Sequence, residues 1–381
     1  MNRRHALLQI SGSVLISSCI STDAFSQVPK KKAVAKSTTK GLPDNIQWHD
    51  VEEFGLEGRE WADLPRIRYY DRFPAEVEKK VPAPVWGLSR DSAGMMVRFD
   101  SDSPTIAVRY TLRSERLAMP HMPATGVSGA DLYAKDTDGR WKWVYCAQPA
   151  AKNVETMLIS GIEKKSREFQ LYLPLYNGVE KFEIGVLKGS SFTGQKPRPK
   201  PIVFYGTSIT HGASASRPGM VHTAIIGRRL DRPVLNLGFS GNGRMDPGVG
   251  EMLGRLDAAA YVIDCLPNMA APLVTERTAP LVRQIRAARS ETPIILVEDR
   301  RNTNSWILKS RDEYHTANHA ALKKAFDELM AAGVKNLYYV GGDALLGDDT
   351  EGTVDASHPT DLGFFRQASV MEPVIRKSLG L

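Results

Sequence analysis

The pattern of hydrophobic and polar positions changes near residue 200. Between residues 46 and 194, short runs such as 105–110 and 181–186 alternate apolar and polar side chains. This period of two is typical of strands with one face in solvent. Turn-forming clusters such as residues 100–104 separate the runs, and no long helical pattern interrupts them. The pattern predicts an antiparallel β-sandwich.

After residue 201, apolar strands alternate with helical stretches. Leu322, Phe326 and Leu329 recur at helical spacing beside charged residues, as on a helix with one buried face. The predicted strands are 202–205, 234–237, 261–265, 294–297 and 337–340, and the predicted helices lie near 221–230, 279–289, 311–332 and 361–377. Five strands with intervening helices predict an α/β fold with a doubly wound, mostly parallel sheet.

A proline-rich segment separates the two patterns. Alternating prolines in residues 195–201 favour a stiff, extended connector, so we place a domain boundary there. The predicted organisation is a signal segment at 1–26, a flexible tether at 27–45, an N-terminal sandwich at 46–194, a linker at 195–201 and a catalytic domain at 202–381.

The net charge of +7 lies mostly at the start of the chain. Residues 1–26 carry Arg3, Arg4 and Asp23, and residues 27–40 carry five lysines and no acid, which leaves +1 for residues 41–381. Nucleic-acid binding requires basic residues gathered on the folded domain, so we expect no nucleic-acid partner. The sequence does not indicate an oligomeric state.

The first 26 residues resemble an export signal. Arg3 and Arg4 precede an apolar segment, residues 6–16, that is too short to span a bilayer. Residues 16–19 resemble a lipobox that would leave Cys19 lipidated and attach the chain to a membrane, which is the interpretation we favour. Residues 24–26 offer a competing site for soluble secretion. Either site predicts a periplasmic or cell-surface protein, with a disordered cytosolic leader as the alternative.

Two cysteines remain in the predicted domains. Cys146 lies in the sandwich and Cys265 in a predicted strand of the second domain. We expect both to be buried and unpaired, so that the fold does not rely on a disulfide.

A serine follows the first predicted strand of the second domain. The apolar run 202–205 stops at Gly206, and Ser208 comes two residues later, at the sheet edge where open α/β folds bind ligands. A serine nucleophile needs a base and a carboxylate that orients the base. Asp355 and His358, three residues apart in a tight turn, can supply both. The same turn also fits an ordinary helix-start cap.

Two further loops follow predicted strands at the same edge. One is glycine-rich, residues 238–243, and the other places Asn268 after the strand at 261–265. The N–H groups of Ser208 and Gly241 and the side-chain amide of Asn268 would form an oxyanion hole with three donors. Taken singly, the glycine turn also fits a helix N-terminus, and Asn268 also fits a loop cap.

These residues resemble the SGNH hydrolases, also called GDSL-type esterases. The four sequence blocks of that family carry a Ser, a Gly, an Asn and an Asp-x-x-His, and they match residues 206–208, 236–241, Asn268 and 355–358. Residues 126–133 resemble the Gly-x-Asp-Leu-Tyr motif of an N-terminal sandwich found in one branch. Thr207 replaces the usual Asp before the serine, and Pro267 replaces the usual Gly before Asn268.

The resemblance implies a flavodoxin-like SGNH domain preceded by a jelly-roll-like sandwich. It also implies a serine esterase in which Ser208, His358 and Asp355 are catalytic and Ser208, Gly241 and Asn268 form the oxyanion hole. Many relatives remove acetyl groups from polysaccharides, so the expected substrate is an acylated small molecule or glycan. No organic cofactor or metal ion is expected.

Several alternatives remain open. An α/β-hydrolase has the same Ser, Asp, His order but needs a Gly-x-Ser-x-Gly elbow, which residues 238–241 miss by one position. A lipid esterase or thioesterase would need an apolar channel. A carbohydrate-binding protein with an idle triad would use the sandwich aromatics, Trp141, Trp143 and Tyr145, for sugar stacking.

Four further histidines lie in the second predicted domain. His315 and His319 are four residues apart on a predicted helix and could share a metal ion, but no glutamate accompanies them as in a zincin. We expect them to be solvated helix residues. His211 and His222 follow Ser208 closely and receive no role, since they could approach the substrate or only pack.

Overall fold

Two antiparallel sheets build the first part of the chain. The structure is a computed structural model that describes residues 41–381, so the predicted signal segment and most of the predicted tether lie outside the described residues. The strands are β1 Ile46–Asp50, β2 Met96–Ser101, β3 Thr105–Leu112, β4 Asp131–Lys135, β5 Trp141–Cys146, β6 Asn153–Ser160, β7 Arg167–Tyr172, β8 Val179–Leu187 and β9 Phe192–Gln195. They form sheets of order β1-β8-β3-β6 and β5-β4-β7-β2-β9, which confirms the sandwich.

The second part of the chain forms a five-stranded parallel sheet. Its strands are β10 Ile202–Gly206, β11 Val234–Gly238, β12 Ala260–Asp264, β13 Ile294–Val297 and β14 Leu337–Val340. Their order, β11-β10-β12-β13-β14, is the flavodoxin-like arrangement in which the first strand lies between the second and third. The predicted doubly wound α/β fold is therefore confirmed.

Helices cover both faces of this sheet. The α-helices of the described residues are α1 Ala83–Leu88, α2 Ala124–Val127, α3 Ser208–His211, α4 His222–Leu230, α5 Pro247–Gly254, α6 Ala271–Ala288, α7 Lys309–Ala331 and α8 Asp361–Leu379. Short 3₁₀ helices occupy Val51–Glu53, Ala75–Lys79, Pro218–Met220 and Leu266–Asn268. None of the helices in residues 41–381 combines the length and the apolar character that crossing a bilayer requires.

The strands of the parallel sheet are apolar because both of their faces are buried. Val203 and Tyr205 face one hydrophobic core, and Phe204 faces another core together with Met371 and Ile375 of α8. Full burial of one such side chain stabilises a fold by about 1.5–3 kcal/mol. Cys146 and Cys265 are both buried and free, as expected.

Two helices differ from the sequence prediction for identifiable reasons. α6 begins at Ala271, earlier than predicted. Pro272 lies in its first turn, where proline is tolerated, and Pro280 lies inside the helix, where proline normally ends one, so the two prolines hide the helical pattern in the sequence. The sequence pattern does not predict α5, because glycines weaken its helix propensity. Its start is stabilised by Asp246, whose side chain accepts a hydrogen bond from Gly248 N–H.

The segment between β1 and β2 belongs to the core of the parallel sheet. Phe73, Val77 and Val85 are fully buried in the same hydrophobic cluster as Val203 and Leu235. This segment comes before most of the sandwich in the chain. The core of the parallel sheet therefore includes side chains from the first part of the chain as well as the second. Residues 42–381 accordingly form one compact unit.

Arg72 connects the two parts through hydrogen bonds. Its side chain is fully buried, and Nη1 donates to the carbonyl oxygens of Asn236 and Gly238 in β11, each at 2.9 Å. Nε and Nη2 donate to the carbonyls of Asp91, at 3.0 Å, and Leu88, at 2.6 Å. Burial lowers the pKa of Arg72 to about 10, which leaves the guanidinium charged at neutral pH.

Replacing Arg72 should destabilise the whole unit. In Arg72→Met the four buried carbonyls lose their donor, and we expect the free energy of unfolding to fall by about 3–5 kcal/mol. Urea denaturation followed by circular dichroism measures this. Arg116→Met, at an exposed position, is the control and should change stability by less than about 0.5 kcal/mol. Equal effects of the two variants would contradict the role of Arg72.

Candidate active site

Three neighbouring strands end level with one another. Gly206 at the end of β10 lies opposite Gly238 of β11 and Asp264 of β12. The next residues along each strand therefore emerge at one edge of the sheet. This register brings the loops that carry Ser208, Gly241 and Asn268 together.

Short contacts fix α3 against the end of β11. A Cβ atom on Gly238 would lie 2.1 Å from His211 N, so only glycine allows this approach of the two backbones. The side-chain amide of Asn236 donates to the carbonyl of Thr210 at 2.6 Å. The helix that begins with Ser208 is thus held rigidly on the neighbouring strand.

Ser208 is the first residue of α3. The hydroxyl of Thr207, the N-cap residue, accepts a hydrogen bond from Ile209 N–H at 3.2 Å and so caps the helix. The N–H of Ser208 has no intrahelical acceptor at this position and is available to a ligand. Ser208 Oγ lies 2.8 Å from His358 Nε2.

Asp355 holds His358 through both carboxylate oxygens. Oδ2 lies 2.7 Å from His358 Nδ1, and Oδ1 accepts from the backbone N–H groups of Ser357, at 3.0 Å, and His358, at 2.7 Å. Burial acts to raise the pKa of Asp355, but these hydrogen bonds outweigh it and hold the pKa below its usual range. We assign the imidazole proton to Nδ1 from this contact, which leaves Nε2 to accept from Ser208.

The proposed oxyanion donors lie in adjacent loops. Gly241 has a φ of +70°, which favours glycine, and its N–H makes no hydrogen bond within residues 41–381. We assign the amide of Asn268 so that Oδ1 faces the N–H groups of Asn242, at 3.1 Å, and Gly243, at 3.2 Å, which also donate to the carbonyl of Phe239. This orientation leaves the NH₂ group of Asn268 free to donate elsewhere.

The sandwich also reaches this site. Tyr176 donates from its hydroxyl to the carbonyl of Ser208 at 3.2 Å, and burial raises its pKa, so the hydroxyl stays protonated. His121 lies at an exposed turn, with its ring centroid 6.0 Å from that of His358. Two backbone hydrogen bonds between Met119 and Met122, at 2.9 and 3.0 Å, close this turn. Sequence reasoning missed both residues because neither carries a motif.

His211 and His222 pack inside the fold. His211 contacts the carbonyl of Leu175 through Nε2 at 2.8 Å and stacks on Tyr176 at 4.0 Å. His222 stacks on Phe364, and burial lowers its pKa to about 3, so it is neutral. Neither ring is a partner of the Ser208 hydroxyl.

The expectation that His315 and His319 are solvated was wrong. Both are buried, because α7 turns them towards Asp299 in the loop after β13. Asp299 Oδ2 lies 2.8 Å from His315 Nδ1, and Asp299 Oδ1 lies 2.7 Å from His319 Nε2. Nε2 of His315 also accepts from Asn302 N–H at 3.1 Å.

These three side chains offer nitrogen and oxygen atoms that could hold a metal ion, all within 4.8 Å of one another. Ligands of a tetrahedral zinc ion with bonds of 2.0–2.1 Å stand about 3.3 Å apart. The shorter separations around Asp299 are those of a hydrogen bond to His315 and an ion pair with His319, whose Nε2 also lies 2.8 Å from the backbone carbonyl of Asp299. The geometry is that of an ionic hydrogen-bond network.

Comparison with known proteins places the chain in a family. The sequence profile of the GDSL-like lipase/acylhydrolase family matches residues 199–376, and the GxDLY profile, the N-terminus of SGNH hydrolase-type esterases, matches residues 46–192. A solved structure described as a GDSL-like lipase from Bacteroides ovatus is 34% identical, covers 88% of this chain and 98% of its own, and has a TM-score of 0.82. The chain is a member of the SGNH hydrolase family.

Other solved structures share the fold at low sequence identity. A salicylyl-acyltransferase from a tetracycline biosynthetic pathway is 18% identical, covers 89% of this chain and 99% of its own, and has a TM-score of 0.70. An acetyl xylan esterase from the rumen bacterium Butyrivibrio proteoclasticus is 10% identical, covers 88% and 99%, and has a TM-score of 0.54. A search of curated proteins found no match. The family supports an esterase or related hydrolase.

The Asp299–His319 pair should stabilise the fold in a defined pH window. Burial acts to raise the pKa of Asp299, but hydrogen bonds from His315 and His319 outweigh it and lower this pKa to about 2. The ionised Asp299 therefore stabilises the fold above about pH 4, and this stabilisation is lost as the pH falls towards 2. Burial acts to lower the pKa of His319, but the carboxylate of Asp299 outweighs it and raises this pKa. The protonated His319 therefore stabilises the fold below about pH 6.5, and this stabilisation is lost as the pH rises through the raised pKa.

We therefore expect His319→Gln to lose most stability, relative to the wild type, between about pH 4 and pH 6.5. Urea denaturation of both proteins from pH 3 to pH 9 tests this. A stability difference that is constant across that range, or that grows towards pH 9, would show that the ion pair does not stabilise the fold.

Proposed function

We propose that this SGNH hydrolase is a serine esterase that removes short acyl groups, acetyl above all, from carbohydrate. The observation that carries the proposal is a continuous hydrogen-bonded chain. Asp355 Oδ2 lies 2.7 Å from His358 Nδ1, and His358 Nε2 lies 2.8 Å from Ser208 Oγ. Base, orienting carboxylate and nucleophile are thus in contact before any substrate binds.

In the proposed reaction, Ser208 Oγ attacks the ester carbonyl carbon while His358 Nε2 takes the hydroxyl proton. Asp355 stabilises the imidazolium and keeps its orientation. Collapse of the tetrahedral intermediate breaks the bond to the alcohol, which leaves with the proton from His358. A water molecule then attacks the acyl-enzyme, His358 again acts as base and then acid, and the carboxylic acid is released.

Three donors serve the negative oxygen of the intermediate. They are the N–H groups of Ser208 and Gly241 and the side-chain amide of Asn268. The Asn268 oxygen is held by Asn242 and Gly243, so the amide is positioned before the oxyanion forms. Such preorganised donors stabilise developing charge without reorganisation during the reaction.

Several features favour carbohydrate over lipid. The cavity that touches Asp355 and Ser357 is lined mainly by charged and polar side chains, which suits a sugar better than an alkyl chain. Trp143 is 50% exposed and Tyr145 is 36% exposed on the sandwich, as aromatic residues that stack on sugars would be. The acetyl xylan esterase shows that this fold serves such chemistry elsewhere. The predicted export would place the enzyme where polymeric glycans occur.

Removal of the nucleophile gives the first test. Ser208→Ala should lower kcat for p-nitrophenyl acetate by about 10³-fold or more, because no other hydroxyl contacts His358 Nε2 in the described residues. Ser310→Ala, on the exposed side of α7, is the matched control and should retain full activity. The wild type should also release acetate from at least one acetylated polysaccharide. Faster cleavage of octanoate or of thioesters, with no acetate release, would favour the lipid esterase instead.

Asn268 gives a second test. Asn268→Ala should reduce kcat by about 10²–10³-fold with little change in KM, the usual loss for one oxyanion donor. Asn268→Asp keeps the oxygen that accepts from Asn242 and Gly243 but removes the donor, so it separates loop structure from catalysis. Both variants should be folded and similarly slow. Full activity of Asn268→Asp would show that the amide does not contact the oxyanion.

A further inference from the structure

The polar cavity that touches Asp355 and Ser357 has charged groups that the reaction described so far does not use. Its volume is about 260 Å³, and its lining includes Ile209, Pro267, Asp355 and Ser357. Ile209 follows Ser208 in the chain, Pro267 precedes Asn268, and Asp355 contacts His358, so the cavity adjoins the loops that carry the proposed catalytic residues. It has room for about eight water molecules, far more than an acetyl group needs.

Arg300 belongs to the lining of this cavity, and its charge already has a partner. The side chain is buried, and only Nη2 is paired, at 3.0 Å from each carboxylate oxygen of Asp264. Nε and Nη1 have no hydrogen-bond partner among residues 41–381. Both atoms are themselves buried from solvent, so they do not face the open part of the cavity, and the charge of Arg300 is paired with that of Asp264.

Arg311 adds a second cation to the lining. It lies in the first turn of α7, is exposed, and forms no salt bridge in the part of the chain that the structure describes. Its guanidinium is therefore free to bind an anion. Tyr314, one turn later, also lines the cavity.

The carboxylates in the lining do not cancel this charge, because each already has its own partners. Asp299 is in contact with His315, at 2.8 Å, and with His319, at 2.7 Å. Asp355 is in contact with His358. Arg300 is in contact with Asp264, so Arg311 is the charged residue of the lining that has no hydrogen-bonded or ionic side-chain partner among residues 41–381.

We propose that this cavity is a subsite for a carboxylate carried by the ester substrate, and that Arg311 binds it. The inference rests on the proposed esterase function and narrows its substrate to acidic esters. The carboxylate belongs either to the acyl group, as in a hemiester of a dicarboxylic acid, or to the alcohol, as in an acetylated uronic acid. Both sources place an anion one short chain or one sugar ring from the carbonyl.

Two matched substrate pairs test the subsite and its source. Monoethyl succinate and ethyl butyrate differ only in whether the four-carbon acyl chain ends in a carboxylate or a methyl group. The O-acetyl esters of methyl glucuronoside and methyl glucoside, acetylated at the same position, differ only in the sugar carboxylate. For each pair, the ratio of kcat/KM for the anionic to the neutral substrate is measured by titration of the released acid.

The wild type should prefer the anionic member of one pair by about tenfold or more, and high salt should reduce this preference. Arg311→Gln should lower the ratio about tenfold, and Arg311→Lys should restore part of it. Arg283→Gln, an exposed arginine of α6 outside the cavity, should leave the ratio unchanged. A preference in neither pair, or one that Arg311→Gln leaves intact, would overturn the subsite.

A binding measurement separates this inference from the proposed function. In Ser208→Ala, which cannot turn over, succinate or glucuronate should bind more tightly than butyramide or glucose by calorimetry, and Arg311→Gln should remove the difference. Binding of this kind without any ester hydrolysis by the wild type would overturn the esterase and leave the subsite standing. Hydrolysis of neutral acetates with no selective anion binding would overturn the subsite and leave the esterase standing.

Discussion

The level ends of three parallel strands are the constraint on which the site depends. Gly206, Gly238 and Asp264 lie in register, so the loops after β10, β11 and β12 begin at the same edge of the sheet. Parallel pairing cannot slip by one residue without turning buried side chains to the opposite face. The hydrophobic cores on both faces of the sheet therefore also determine where Ser208 and the proposed oxyanion donors lie.

The sandwich and the parallel sheet belong to one compact structural unit. The segment between β1 and β2 supplies Phe73 and Val85 to the core of the parallel sheet, and Arg72 bonds the carbonyls of β11. Tyr176 then reaches the carbonyl of Ser208 from the sandwich side. The first part of the chain thus helps to support Ser208, and its turn at His121 lies beside His358.

Charged groups surround the site, and most are compensated by specific partners. Asp355 is paired with His358, and Asp264 accepts from Arg300 and from the Thr210 hydroxyl. Because buried charges are stable only when paired, such networks hold the loops after β12 and β13 in defined positions. Arg311 is the cation in the cavity lining without a carboxylate partner, which is why substrate charge matters to the proposed selectivity.

The amino-acid sequence by itself determined the two fold patterns, the buried cysteines and the spacing of the candidate residues, because period-two and strand-helix alternation are local properties. Ser208 and the Asp355 to His358 turn could be predicted from such local signals. Only the tertiary structure decided that residues 73–85 join the other core, that His315 and His319 are buried against Asp299, and that Tyr176 and His121 stand beside the triad. Those contacts join segments distant in the chain, and no local pattern of side chains specifies which distant partner a loop residue meets.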